Sequence, residues 1–240
     1  MRRPLVLIAL GTCVAAAPAY ARDGAWYVGG DFGAMIVEDV DFDFGLAPTI
    51  PGSDANFAIN HDYGYDGALF VGYDLGAFRL EAEVAYKRAR IDEIETVITL
   101  PGDPVGPLPP GQHPIGGGSS SALSFMINGM LDFGDDDGIS GFVGGGAGIG
   151  RVSYNNLRVF EDSDPYIDDG DSGFAWQVVA GLRRSISDNT DVTLRYRFFN
   201  TGGLTVPDIG GFDGESRFRS HSLLVGLTFN FGEAPPAPPP

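Results

Sequence analysis

The chain of 240 residues is strongly acidic, with a formal net charge of −17 at pH 7, and it contains 36 glycines and 12% aromatic residues. A chain with so few basic residues offers no electrostatic footprint for a nucleic acid, which excludes that class of partner. Glycine at this level weakens helices and suits barrels, where strands bend and backbones approach closely. After residue 21, no segment has the roughly 18 consecutive apolar residues that are typical of a membrane-spanning helix.

The first 21 residues carry the parts of a secretory signal peptide. Two arginines follow the initiator methionine, residues 5–17 are mostly apolar, and residues 19–21 form a small-x-small cleavage site. The apolar run is too short to span a membrane, which argues against an N-terminal anchor. The other alternative is a lipoprotein with Cys13 as the lipidated residue, and Thr12 before it fits that pattern poorly. Cleavage after residue 21 removes the only cysteine, so we expect no disulfide in the mature chain.

The rest of the chain is organised around segments in which apolar and polar residues alternate. The sharpest alternation begins at Phe78, where apolar residues alternate with Arg79, Glu81 and Glu83. Successive side chains of a strand point to opposite faces, so each segment predicts a strand with one apolar and one mostly polar face. The predicted strands, eight in all, are at 26–36, 65–75, 78–87, 123–133, 141–152, 174–183, 192–198 and 217–231.

The connections between these segments alternate in length. Tight polar turns, D-L-G-A, G-D-D-D-G and S-D-N-T-D, join strands two and three, four and five, and six and seven. Short turns at one end, long loops at the other and an even number of strands are the layout of a transmembrane β-barrel. We therefore predict an all-β, eight-stranded antiparallel transmembrane barrel over residues 22–232, followed by a proline-rich periplasmic tail at 233–240. The predicted long loops, four in number, are at about 37–61, 96–120, 155–172 and 201–216.

Three stretches resemble the OmpA-type outer-membrane β-barrel family. They are Y-V-G-G-D-F-G near the start, F-V-G-Y-D-L-G-A-F-R-L-E-A-E-V-A-Y-K-R from Phe70, and the final L-T-F-N-F. The final strand resembles the assembly signal of such barrels, carried here by Gly226, Phe229 and Phe231, although Leu224 stands where that signal usually has a polar residue.

The resemblance implies a location and a set of partners. The protein is expected in the outer membrane of a Gram-negative bacterium, with its termini in the periplasm and its long loops outside. Expected partners are the barrel assembly machinery, outer-membrane lipids and lipopolysaccharide. The implied role is in envelope structure and surface interaction, without enzyme activity. The proline-rich tail resembles the hinge that, in full-length members, leads to a peptidoglycan-binding domain.

Charged residues on the polar faces are predicted to point into the barrel, because charge on the lipid face is costly. One interpretation is an interior filled by ion-paired side chains, and the alternative is a narrow pore whose selectivity these charges set. Eight strands enclose an interior just wide enough for side chains to fill, which favours the filled interior. The predicted interior charges are Arg79, Glu81, Glu83, Arg183, Arg195 and Arg197.

Aromatic residues are predicted to form two belts at the membrane surfaces, as is usual for such barrels. A soluble, lipocalin-like barrel is the alternative, and it would instead bury the apolar faces around a ligand. The predicted belt at the short-turn end contains Trp26, Phe78, Phe133 and Phe231, and the belt at the long-loop end contains Tyr86, Phe174 and Trp176.

The candidates for catalysis or metal binding are weak. Glu81 and Glu83 share a face, but no cleft is evident for a hydrolase that uses paired carboxylates. His221 lies on the outward face without an acidic partner that spacing can assign, which favours a residue of the membrane interface over a catalytic one. His61 and His113 are predicted in loops and lack zinc-ligand spacing, so neither a metal nor a cofactor is predicted.

Two acidic segments, at 39–45 and 161–171, resemble calcium loops only superficially. Both miss the spacing of the ligands, including the bidentate glutamate. We interpret them as solvated anionic loops, with bridging to lipopolysaccharide through divalent cations as the alternative.

Overall fold

The structure, a computed structural model, describes most of the predicted barrel. The described residues are 24–43, 57–97, 99, 109–115, 117–134, 138–158, 167–207 and 213–231. The predicted signal peptide and the proline-rich tail lie outside these residues. Within them, every regular element is a β-strand, and none is a helix that is long and apolar enough to cross a membrane.

Long strands form the wall of the barrel, and two short strands extend it. The short ones are β2 (Val40–Asp43) and β5 (Gly111–Pro114). The long ones are β1 (Trp26–Val37), β3 (Phe57–Asp74), β4 (Phe78–Thr96), β6 (Gly117–Phe133), β7 (Ile139–Arg158), β8 (Ile167–Ser187), β9 (Thr190–Pro207) and β10 (Asp213–Asn230).

The eight long strands close into a ring in the order β1-β3-β4-β6-β7-β8-β9-β10, with every neighbouring pair antiparallel. Closure is made by β1, where Phe32 lies opposite Val225 of β10 on one side and Gly67 of β3 on the other. A closed ring leaves no strand edge in lipid with unpaired hydrogen-bonding groups. The predicted eight-stranded antiparallel barrel is therefore confirmed.

The predicted faces of the strands are also confirmed. On β10, Val225 is 59% exposed, whereas its neighbour Leu224 is fully buried in the interior. On β4, Leu80 and Tyr86 are exposed, whereas Glu81 is buried. The apolar face of each strand therefore forms the outside of the barrel, which is the reverse of a lipocalin-like arrangement.

At the long-loop end, the strands continue further than the sequence predicts. The predicted loop at 37–61 contains β2 and the start of β3, and the predicted loop at 96–120 contains β5 and the start of β6. His61 and His113 therefore lie in strands, and their predicted place in loops is wrong. The predicted strands stop too early because, beyond the long-loop belt, apolar residues face the interior and polar residues face outward.

This part of the interior is filled by apolar side chains. Their aromatic members pack edge to face, with the rings of Phe42 and Tyr154 5.2 Å apart and those of Phe42 and Phe57 5.8 Å apart. Aromatic pairs in this geometry are stabilising beyond the area they bury. We call the following buried residues the apolar cluster: Met35, Val40, Phe42, Phe57, Ile59, Ala89, Ile91, Ile94, Ala122, Met126, Val152, Tyr154, Leu157, Ala175, Phe199, Leu204, Val206 and Phe218.

Candidate functional site

Charged side chains from opposite walls meet in the interior of the membrane-facing half. The strands β4 and β9 lie across the ring from each other, with three strands between them on either side. Alternate residues of a strand share a face, so β4 presents two glutamates inward and β9 presents two arginines. We call these side chains, with two aspartates from β1 and β3, the central ion cluster: Asp31, Asp66, Glu81, Glu83, Arg195 and Arg197.

Each arginine of the central ion cluster contacts several carboxylates. A guanidinium nitrogen of Arg195 lies 3.0 Å from Asp31, 3.2 Å from Glu81 and 3.6 Å from Glu83. The guanidinium is planar and carries several donors, so one arginine can join several carboxylates at once.

Arg197 continues the network towards the long-loop end. It lies 2.9 Å from Glu83 and 2.9 Å from Asp66. Because β4 and β9 are on opposite sides of the ring, the ion pair between Arg197 and Glu83 crosses the whole interior.

Neutral side chains bridge the glutamates of this network. Asn128 of β6 donates hydrogen bonds to Glu81 and Glu83, at 3.3 Å each. Gln177 of β8 donates to Glu83 at 3.1 Å and to the side-chain oxygen of Asn128 at 2.7 Å. The hydroxyl of Tyr27 donates to Glu81 at 3.4 Å. Buried carboxylates are tolerated where they are paired and hydrogen-bonded in this way.

Two other predicted interior charges lie nearer the short-turn end. Arg79 forms a two-point contact with Asp132 of β6, with Nη2 2.8 Å from Oδ1, and its guanidinium lies 5.3 Å from the centre of the Phe142 ring. Arg183 is buried beside Ser140, 3.4 Å from its hydroxyl, and is not part of the central ion cluster. The predicted interior charges are thus divided by depth into separate groups.

Lys87 of β4 marks the boundary between the central ion cluster and the apolar cluster. Its ammonium group lies 3.7 Å from Asp66 and 4.2 Å from the centre of the Phe199 ring. It therefore contacts a carboxylate of one cluster and an aromatic face of the other. Lys87 shares the inward parity of Glu81 and Glu83 on β4, and its partners come from β3 and β9.

The aromatic residues of both predicted belts lie on the outer surface. Several make ring contacts with aromatic residues that sequence analysis left out, such as Trp26 with Tyr73 at 5.2 Å and Trp176 with Phe198 at 5.3 Å. The predicted residues that the structure leaves exposed are Trp26, Phe78, Phe133 and Phe231 at the short-turn end, and Tyr86, Phe174 and Trp176 at the long-loop end.

The three residues of the predicted assembly signal lie at the short-turn half of β10 and just after it. Phe229 and Phe231 are exposed on the outer face, and the backbone N–H of Phe231 donates to the carbonyl of Trp26 at 2.9 Å. Gly226 faces inward, where a Cβ atom would fall on a carboxylate oxygen of Asp31. A side chain at 226 would therefore require Asp31 of the central ion cluster to shift.

His221 has an acidic partner that sequence analysis missed. Its Nε2 lies 3.0 Å from Glu38, just after β1, and its Nδ1 lies 2.8 Å from the hydroxyl of Tyr196. The hydrogen bond from His221, with a further one from Arg219, lowers the pKa of Glu38. The serines on either side of His221 face the interior, so neither is next to the imidazole.

Among the described residues, no group of three or more His, Cys, Asp or Glu side chains is arranged to hold a metal ion. Most of the acidic segment at 161–171 and the last two residues of that at 39–45 lie outside the described residues. His61, which sequence analysis considered for zinc, instead makes a hydrogen bond of 2.7 Å with Ser120.

Residues 5–231 match the family model of the outer membrane protein β-barrel domain. The chain belongs to this family. This membership confirms the resemblance to outer-membrane barrels and shows that the chain is a bacterial outer-membrane protein. A curated relative is the outer membrane protein PagN of Salmonella typhimurium, which is 21% identical over 181 residues, covering 70% of this chain and 73% of PagN.

Solved structures of other outer-membrane proteins share the fold of this family member. OprG of Pseudomonas aeruginosa aligns with a TM-score of 0.56 at 10% identity, covering 88% of this chain and 98% of OprG. Neisserial surface protein A aligns with a TM-score of 0.51 at 15% identity, covering 87% of this chain and the whole of that protein. At sequence identities this low, the similarity shows a shared fold alone.

Proposed function

We propose that this outer-membrane barrel has a structural and surface-interaction role and that its interior is closed to diffusion. The observation that carries the proposal is the ion pairing across the interior, where Arg195 contacts Glu81 and Arg197 contacts Glu83 on the opposite wall. A solute moving along the axis would have to separate these pairs. Breaking a buried pair leaves an uncompensated charge, which costs on the order of 3–5 kcal/mol.

The apolar cluster adds a second barrier of a different kind. It fills the interior beyond Lys87, where the hydroxyl of Tyr154 is the one polar group that its side chains offer to hydrated ions and polar solutes. Transfer of an unpaired charge into such a region is strongly unfavourable. A solute would therefore meet a charged layer and an apolar layer in series.

Recordings in planar bilayers test the closed interior against the alternative of a small diffusion pore. We expect the wild-type protein to carry no steady current. Glu83→Ala is expected to destabilise the barrel or to open a leak, whereas Arg184→Gln, on the outer face, serves as a control and leaves the membrane sealed. A large and steady conductance of the wild-type protein would refute the proposal.

We also propose that the termini and short turns face the periplasm and that the long-loop end faces the cell surface. Short turns on the periplasmic side are the rule for such barrels. Cysteine substitutions test this, because the sequence has a single cysteine, Cys13. On intact cells, a membrane-impermeant thiol reagent is expected to label Asp62→Cys and not Asn189→Cys. The reverse pattern would invert the orientation.

The proposed role does not include enzyme activity. The arrangement around His221 supports this, since its two ring nitrogens contact Glu38 and Tyr196, and neither contacts a serine hydroxyl of the described residues. Ester hydrolysis by the folded protein in detergent is expected to equal the detergent background. Hydrolysis that His221→Ala abolishes would contradict this part of the proposal.

We further propose that Gly226, Phe229 and Phe231 are read by the barrel assembly machinery. The exposure of both phenylalanines on the last strand supports a contact with a partner before the barrel closes. Phe231→Ala is expected to reduce the amount of folded protein in the outer membrane, while refolding of the purified variant in detergent remains efficient. Equal loss in both experiments would indicate a packing role instead.

A further inference from the structure

The described cations of this protein lie either in the interior or on the outer face of the barrel. The chain has 15 Lys and Arg residues against 32 Asp and Glu residues, so carboxylates are plentiful. The interior cations Arg79, Lys87, Arg195 and Arg197 all have a carboxylate within 3.7 Å. On the outer face, by contrast, the described arginines are concentrated beyond the long-loop belt, at Arg88, Arg90, Arg151, Arg158, Arg217 and Arg219, with Arg184 at the opposite end.

Three of these arginines lie together on the neighbouring strands β4, β6 and β7. Arg88 lies opposite Ser121 and Arg90 lies opposite Ser119 on β6, while Ser119 lies opposite Asn155 on β7. Neighbouring strands are about 5 Å apart and alternate residues of one strand about 7 Å apart, so the side chains form one continuous surface. We call this surface the arginine patch: Arg88, Arg90, Ser119, Ser121, Arg151 and Asn155.

The arginine patch consists of hydrogen-bond donors without carboxylates. Arg88 donates to the hydroxyl of Ser119 at 3.2 Å, and Asn155 donates to the hydroxyl of Ser121 at 3.1 Å. In the described part of the chain, no carboxylate forms a salt bridge with Arg88, Arg90 or Arg151.

The described acidic residues nearest to the patch form no salt bridge with its guanidinium groups. Asp62 of β3, across the strand pair from Arg90, accepts the backbone N–H of Tyr63 at 2.7 Å. Asp92 follows Arg90 by two residues on the outward face of β4, further from the apolar belt. Asp171 accepts hydrogen bonds from the backbone N–H groups of Thr205 and Ser172, which lower its pKa together with a smaller effect of Arg151. The three guanidinium groups are therefore available to an anion from outside the protein.

The position of the patch indicates where that anion lies. On β4 the outward residue before Arg88 is Tyr86 of the long-loop belt, and on β7 the outward residue before Arg151 is Ile149, which faces lipid. The guanidinium groups thus begin one outward position, about 7 Å, beyond the apolar surface. Lipid headgroups lie at this depth, whereas a soluble ligand would meet the loop tips first.

We propose that the arginine patch binds the phosphate groups of a phosphorylated lipid, lipopolysaccharide, in the outer leaflet. Arginine is suited to phosphate because its fork of N–H donors matches two phosphate oxygens at once. Hydroxyl groups and the amide of Asn155 supply further donors beside the guanidinium groups. The inference rests on the orientation in the proposed function, which places the long-loop end at the cell surface.

Binding of fluorescently labelled lipopolysaccharide to the folded protein in a neutral detergent tests this inference. An arginine near an anionic lipid surface contributes about a fivefold factor in affinity, so the triple variant Arg88→Gln, Arg90→Gln, Arg151→Gln is expected to bind on the order of 100-fold more weakly. The matched controls Arg184→Gln and Arg217→Gln, which change outward arginines elsewhere, are expected to bind like the wild type. Enzymatically dephosphorylated lipopolysaccharide is expected to bind the wild type as weakly as intact lipopolysaccharide binds the triple variant.

Several results would overturn the inference. These are equal binding by the triple variant, equal binding of dephosphorylated lipopolysaccharide, and complete displacement by millimolar inorganic phosphate, which would indicate a site for free phosphate. The gel mobility of unboiled protein verifies folding. If the triple variant does not fold, Arg90→Gln alone is expected to lose about fivefold and the triple lysine variant to retain most of the binding. The assay does not depend on conductance, so a conducting barrel that loses binding in the triple variant would refute the closed interior and leave this inference standing.

Discussion

Arg195→Met is the sharpest test of the central ion cluster. The Arg195 side chain is 1% exposed and lies 3.0 Å from Asp31, 3.2 Å from Glu81 and 3.6 Å from Glu83. Asp31 and Glu83 retain Arg197 when Arg195 is removed. Among the described residues, Glu81 has no other salt-bridge partner and keeps only neutral donors.

The magnitude of the effect follows from that loss. Leaving one buried carboxylate without its cation costs about 3–5 kcal/mol. The guanidinium of Arg195 also lies 4.9 Å from the centre of the Phe70 ring, and losing such a contact adds about 0.5–2 kcal/mol. Methionine fills part of the vacated volume. Because this filling offsets the smaller loss, we expect the free energy of unfolding to fall by about 3–5 kcal/mol.

Urea unfolding in lipid vesicles, followed by tryptophan fluorescence, measures this free energy. A second variant isolates the charge, because Glu81→Gln added to Arg195→Met removes the unpaired carboxylate. The double variant is expected to be more stable than Arg195→Met by about 2 kcal/mol, a coupling of the size seen between contacting residues. A loss below about 1 kcal/mol in Arg195→Met, or no recovery in the double variant, would show that the ion pairs do not carry the stability assigned to them.

Three further predictions concern the faces and the surface of the barrel. Val225→Arg places a charge against lipid and is expected to lower stability by about 2–4 kcal/mol, with folding yields that worsen in thicker bilayers. Leu224→Arg points inside, and its folding yield is expected to be insensitive to bilayer thickness. The reverse result would mean that the faces are inverted. Gly226→Ala places a methyl group on an interior carboxylate, so the unfolding midpoint in urea is expected to fall, and an unchanged midpoint would contradict the close approach. Glu38→Gln is expected to lower the thermal midpoint slightly at pH 7. The difference from wild type is expected to vanish as the pH falls through the pKa of Glu38, which is depressed below its ordinary value of 4.5. The protonated carboxyl group then loses its charge-assisted bond to His221.

The sequence predicted the strands and their faces because both are local properties. Alternation along β4 is enough to place Glu81 and Glu83 inside and Leu80 outside. The position of a residue along the barrel axis depends on the register between neighbouring strands, which cannot be read from the sequence. Arg183 and Arg195 were therefore grouped together, although only Arg195 belongs to the central ion cluster.

The partners of interior and surface residues were beyond sequence analysis for a related reason. Arg195 and Glu81 are 114 residues apart, and they meet because their strands lie on opposite sides of the closed ring. Glu38 and His221 are 183 residues apart, and they meet because β1 pairs with β10. Ring closure follows from the sequence pattern, but the pairing of side chains across the ring requires the register.

The strands beyond the long-loop belt show how the same alternation serves two environments. A tilted strand crosses a bilayer in about 9–11 residues, yet β4 has 19 residues. Up to Tyr86 its outward residues are apolar, and from Arg88 onward they are charged while Ala89 and Ile91 face the apolar cluster. The period of two therefore continues as far as Ile91, while the apolar residues change sides at Lys87 and Arg88. Water on the outside and an apolar interior stabilise this part as they would a soluble barrel, so a reversal of the apolar parity within one strand marks the point at which the wall leaves the membrane.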